Sequence, residues 1–113
     1  MAGEALHLLL AGGTCGNTLN LIAARLEELL REDWDVPARI TIQNVWQHHG
    51  PPPHTDLVLQ TMQVYRQADI GLPVLSVRPM IRDREDPETL AAVREAVLAV
   101  HRDPAAEASP AAR

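Results

Sequence analysis

Apolar and polar positions follow two different periods along this chain, and the changes from one to the other divide it into elements. Ala5-Leu6-His7-Leu8-Leu9-Leu10-Ala11 is a short, nearly unbroken apolar run, the pattern of a strand covered on both faces of a parallel sheet. Leu19, Ile22, Leu26, Leu29 and Leu30 then recur at helical spacing, with Arg25, Glu27, Glu28 and Arg31 on the wet side. This predicts an amphipathic helix over roughly residues 18–31, with Asn17 or Thr18 as its cap. After Val36-Pro37, residues 38–45 alternate as a half-exposed strand does, which predicts an edge position. Residues 47–54 contain three consecutive prolines and predict an extended loop.

Residues 56–61 predict a third strand, residues 62–69 a short helical turn and residues 72–77 a fourth strand. Asp86 followed by Pro87 marks the start of a last helix, whose inner face is Leu90, Val93, Val97 and Val100. Residues 103–113 are rich in Ala, Pro and Ser and are expected to form a disordered tail, leaving residues 1–102 as the domain. The order β-α-β-β-(short α)-β-α predicts a small three-layer α/β fold, Rossmann- or flavodoxin-like, around a four-stranded, mainly parallel sheet. Ligands of such sheets bind beyond the carboxyl ends of the strands, where the strand order switches. The turn after Ala11 opens there. So do the loops starting at Asn44, Thr61 and Arg78, provided that their strands run parallel to the first.

Composition narrows the choice of partner. The 113 residues are 46% hydrophobic, enough for one core, and carry a net charge of −5 with no basic stripe and no aromatic stacking set. A nucleic-acid partner is therefore not expected. A single cysteine excludes an internal disulfide, and the first residues lack the charged, apolar and cleavable succession of a secretory leader. A cytoplasmic location is the expectation. No apolar run reaches the length of a membrane span, so direct membrane insertion is not expected.

That one cysteine lies in the most chemical stretch of the chain, Gly12-Gly13-Thr14-Cys15-Gly16-Asn17-Thr18, between the apolar run and the first helix. Backbone N–H groups at a helix start, together with the helix dipole, attract anions. In that field the thiolate of Cys15 is favoured over the thiol and can act as a nucleophile near neutral pH. The alternative is ordinary: glycine turns join many strands to helices, and lone cysteines often pack as small hydrophobes. No Gly-Lys-Ser/Thr follows the glycines, so this is not a nucleoside-triphosphate loop, and dinucleotide spacing is also missing. A low-molecular-weight phosphatase loop needs an arginine shortly after its cysteine, where Leu19, Asn20, Leu21 and Ile22 stand instead.

Elsewhere the candidates are weaker. His48, His49 and His54 lie on the proline-rich loop without the spacing that aims two imidazoles at one ion, so no metal is expected; His48 remains a candidate substrate contact. Arg78, Arg82 and Arg84 either complete an anion site or are solvated and balanced by Asp83, Glu85 and Asp86, the second being favoured. Met62 is expected to pack, and Tyr65 to be free for a ligand or partner. Trp34 and Trp46 are expected to pack or to serve as hinges.

Leu8-Leu9-Leu10-Ala11-Gly12-Gly13-Thr14, the helix ending Arg25-Leu26-Glu27-Glu28-Leu29, the segment Asp56-Leu57-Val58-Leu59-Gln60-Thr61, and Leu72-Pro73-Val74-Leu75 before the last helix resemble, in order and spacing, the cytoplasmic enzyme IIB subunits of the bacterial sugar phosphotransferase system. The galactitol and ascorbate types are the most similar, over most of residues 5–100. The resemblance implies a phosphocarrier: a cysteine at the end of the first strand takes a phosphoryl group from a IIA subunit and passes it to sugar in the membrane-embedded IIC. Aligned by helix spacing, that cysteine position falls on Gly12. Aligned by residues, Cys15-Gly16-Asn17 with Leu19 is similar to the ascorbate-type Cys-Gly-Asn-Gly-Leu loop, although Leu21 and Ile22 stand where serines follow in the family.

Three functions follow from these features. In the first, Cys15 is the catalytic phosphoryl acceptor, and the N–H groups of Gly12, Gly13, Thr14, Gly16, Asn17 and Thr18, with the two threonine hydroxyls, hold the phosphate. A IIA-like donor and a IIC-like transporter are then the partners, and no cofactor is expected. In the second, the module is catalytically degenerate and binds an anion or a partner protein. In the third, the scaffold serves another reaction on a phosphorylated or carboxylated small molecule.

Overall fold

The computed structural model describes residues 5–13, 16–44, 51 and 54–102. Four strands, β1 (Leu6–Gly12), β2 (Ala38–Asn44), β3 (Leu57–Gln60) and β4 (Val74–Ser76), form one sheet in the order β2-β1-β3-β4 with every pair parallel. Among the described residues three α-helices accompany it: α1 (Gly16–Glu28), α2 (Gln67–Ile70) and α3 (Pro87–Arg102). This is the flavodoxin-like order, and it realises the α/β class expected from the hydrophobic pattern. The apolar run of β1 is buried on both faces except at His7, because β2 and β3 flank it and helices or loops cover it above and below. β2 alternates between half-buried and exposed positions from Ala38 to Thr41, breaks the alternation at exposed Ile42, and is an edge strand.

Strand parity separates two cores. Leu6, Leu8, Leu10, Leu57 and Leu59 point to one face, where Leu19, Ile22 and Leu26 of α1 and Val93, Val97 and Val100 of α3 cover them. On the other face Leu9, Ala11 and Val58 lie under Tyr65, with Val64, Ile70, Leu72 and Val74 around it. From β1 the chain steps outward one way to β2, and from β3 it steps the other way to β4. Right-handed crossovers then require α1 and the α2 segment to lie on opposite faces, as the two cores show.

Several boundaries differ from expectation, each for a local reason. β1 continues one residue into the glycines, since Gly12 pairs with Asn44 of the neighbouring strand. α1 starts at Gly16, which places Asn17 and Thr18 inside its first turn and not at its cap. Its end widens into a π-helical turn, Leu29–Asp33, that buries Leu29 and Leu30 and closes with Trp34 N–H donating to the Leu29 carbonyl at 2.8 Å. Trp34 packs against the larger core, as expected. The turn expected over residues 62–69 shrinks to α2, closed by Gly71 in the left-handed region at φ 71°. A 3-10 turn, Arg78–Ile81, follows β4 and buries Met80. The expectations for Trp46, His49 and the tail 103–113 lie outside the described residues.

Ahead of α3, Asp86 caps as its sequence suggests: its Oδ2 accepts the Thr89 N–H at 3.0 Å and the Thr89 hydroxyl at 2.7 Å. The hydroxyl, then the N–H, holds the Asp86 carboxyl below the ordinary carboxylate range. A lowered carboxylate stabilises the fold above its unfolded pKa and loses that contribution as pH falls through the folded one. Asp86→Ala is therefore expected to lower the thermal midpoint at neutral pH, with the gap from wild type closing below about pH 4; paired melts across that range measure it.

Candidate functional site

The carboxyl edge of the sheet is laced level by backbone hydrogen bonds. Gly12 stands beside Asn44, the Thr61 N–H donates to the Ala11 carbonyl at 3.0 Å, and the Val77 N–H donates to the Gln60 carbonyl at 2.8 Å. All four strands end here, so the loops after Gly12, Asn44, Thr61 and Arg78 leave on one side, as the parallel sheet requires. The chain moves from β1 to β2 in one direction while β3 lies on the other side of β1, so the switch in strand order falls between β1 and β3. Gly12 and Thr61 flank that point.

Their contact is unusually close. A Cβ added to Gly12 meets the Thr61 Oγ1 at 2.3 Å and a Leu19 methyl at 3.0 Å. Parity explains the meeting: Gly12 continues the face of Leu8 and Leu10, Thr61 continues that of Leu57 and Leu59, and α1 begins directly above both. Thr61 is 2% exposed, and among the described residues its hydroxyl has no hydrogen-bond partner. The first turn of α1 carries no acidic side chain, so nothing there neutralises the positive end of the helix.

The expected phosphate-binding residues divide accordingly. Gly12 ends β1, Gly13 bends out of it half-buried, and Gly16, Asn17 and Thr18 open α1, with Asn17 exposed and Thr18 half-buried. Thr14 and Cys15, which join the two groups in sequence, lie outside the described residues, as does His48. His54 is exposed, with φ 67°. Among the described residues no three His, Cys, Asp or Glu side chains are grouped so as to hold a metal ion.

The roles expected of Met62 and Tyr65 are exchanged. Met62 is exposed, whereas Tyr65 is buried over Leu9 and Ala11 and donates its hydroxyl proton to Gln43 Oε1 at 2.5 Å. Burial pushes the phenol up from its ordinary pKa. Gln60 causes the exchange. Its buried side-chain oxygen accepts the N–H groups of Val64 at 3.2 Å and Tyr65 at 2.9 Å, and its Nε2 donates to the Tyr65 carbonyl at 3.2 Å. The loop is thereby folded back across the sheet, carrying Tyr65 inward and leaving Met62 at the tip.

Arg78 is exposed at the start of the 3-10 turn and lines a cavity of about 390 Å³ together with Gln60, Thr61, Tyr65 and Ser76. It also borders a cavity of about 710 Å³ lined by Pro79, Ile81, Arg82, Asp83 and Asp86. The structure thus brings Arg78 to the carboxyl edge next to the Thr61 segment. Glu85, expected to balance the nearby arginines, instead receives Arg25 of α1 in a two-pronged ion pair at 2.6 and 2.8 Å. Arg25 also pairs with Glu28, and these carboxylates, Glu85 foremost, raise its pKa.

Comparison with protein-family models, with curated proteins and with solved structures yields no match. Among the described residues no helix is long and apolar enough to cross a membrane.

Proposed function

We propose that this chain is a cytoplasmic phosphocarrier resembling the sugar phosphotransferase IIB subunits. Cys15 accepts a phosphoryl group from a IIA-like donor and yields it to sugar at a IIC-like membrane transporter. One observation carries the reading: β1 ends at Gly12 and α1 begins at Gly16 at the edge where the strand order switches, so the only thiol of the chain stands one residue before a helix start. A helix start without a carboxylate in its first turn favours thiolate and phosphoryl oxygens alike. In the transfer, the thiolate sulfur attacks phosphorus as the bond between phosphorus and the donor breaks, and the donor leaves with that electron pair. The N–H groups around the loop offset charge on the equatorial oxygens.

The reactivity of Cys15 tests this reading. Alkylation by iodoacetamide is expected to titrate clearly below the ordinary thiol value of about 8.5, and inorganic phosphate is expected to slow it. A rate that follows an ordinary thiol and ignores phosphate contradicts the carrier.

A second reading is favoured by Gly12. It is the last residue of β1, where the resemblance places the family's cysteine, and the Thr61 contact leaves no room for a side chain there. In that reading the scaffold binds an anion or a partner without covalent chemistry.

A further inference from the structure

We infer that the Thr61 hydroxyl is a ligand-binding group: it donates to the tetrahedral oxyanion, a phosphate or phosphoryl group, held at the start of α1. The inference rests on the anion-binding part of the reading above and adds to it a residue from a different strand. Thr61 is 2% exposed and among the described residues its Oγ1 has no partner, although backbone and side-chain acceptors surround most buried hydroxyls. An unpaired buried hydroxyl costs stability, and valine has the same shape without that cost. The hydroxyl is also accommodated by a second position, since only glycine at residue 12 lets Oγ1 approach the β1 backbone so closely. Gly12 is a poor strand residue. Two local losses therefore converge on one oxygen, beside the switch point and beneath the first turn of a 13-residue helix that has no acidic side chain there.

Phosphate supplies what this oxygen lacks. N–H groups of Gly16, Asn17 and Thr18 in the first turn of α1 face an anion from the helix side, and a hydroxyl at the end of β3 approaches from the sheet side, which gives donors in two directions around a tetrahedral group. A planar carboxylate uses the first set and has less need of the second.

Phosphate titrations of the full chain test the assignment, followed through the amide resonances of Gly13, Gly16, Asn17 and Thr18. Wild type is expected to show saturable shifts at these amides. Thr61→Val is expected to bind inorganic phosphate at least fivefold more weakly while melting no lower than wild type without phosphate. Thr61→Ser, which keeps the hydroxyl, is expected to stay within about twofold of wild type in affinity, given the modest weight of a single methyl. Thr61→Ala also lacks the hydroxyl and gives the same reading of affinity if the valine variant does not fold. Equal binding by wild type and the hydroxyl-free variants overturns the inference and leaves the anion site standing. Equal weakening in the serine and valine variants overturns it too, because shape would then matter and not the hydroxyl. Absence of shifts in wild type overturns both the anion site and this role for Thr61.

Discussion

Alanine at position 12 is expected to destabilise the fold by about 1–3 kcal/mol, the usual cost of forcing an extra methyl into a packed interior. The added Cβ lies 2.3 Å from the Thr61 Oγ1, and neither side yields easily. Gly12 is the last residue of an inner strand and is paired with Asn44, and Thr61 is a short, buried, β-branched side chain tied to β1 through its own N–H. Thr61→Ala removes the clashing oxygen while its Cβ stays at an ordinary 3.5 Å, so the double variant Gly12→Ala/Thr61→Ala is expected to lose less stability than the two single changes together. Urea unfolding of the four proteins measures the coupling; additive losses, or a neutral Gly12→Ala, contradict the close approach. A functional consequence follows. Gly12→Cys incurs the same overlap with a larger side chain, so moving the thiol to the end of β1 in Cys15→Ser/Gly12→Cys is expected to weaken the fold and not to restore a carrier.

Much of the fold was legible because burial writes itself into the apolar pattern. The unbroken run of β1 announced a strand with neighbours on both sides, and the alternation of β2 announced an edge. Asp86 and Pro87 marked the start of α3 correctly, since both the cap and the first helical position have local chemical requirements. The sequence pattern puts the start of α1 two residues late, because Asn and Thr are good caps, yet here they are ordinary first-turn residues. The π-helical turn at its end had no local signal: Leu29 and Leu30 suit a helix of either width, and burial of both selects the wider one.

Less of the site was legible, because it depends on which residues meet across strands. The glycines after β1 suggested an anion loop, but the need for Gly12 arises from Thr61, 49 positions away in the chain, and no local pattern gives that register. Tyr65 reads as free because the pattern puts it on a loop and short turn after the third strand. Its burial follows from the Gln60 side chain taking the loop's N–H groups, which also limits the helical turn after it to α2. The end of the fourth strand alone is enough to put Arg78 at the carboxyl edge. The salt bridge from Arg25 to Glu85 joins α1 to the segment before α3, and charge counting within residues 78–86 could not reveal it.

The largest functional effect is expected at Cys15. Incubated with a phosphorylated IIA-like donor, wild type is expected to gain the mass of one phosphoryl group, and Cys15→Ser is expected to gain none while keeping the same fold. The adduct is expected to be labile, as a bond from phosphorus to sulfur is, and to be lost on addition of the sugar and membranes containing the IIC-like transporter. Intact-mass spectrometry of wild type and Cys15→Ser side by side is the most direct measurement of the carrier account. A phosphoryl adduct on wild type alone is the predicted result; no adduct on wild type, in a mixture that phosphorylates an authentic IIB subunit, contradicts it.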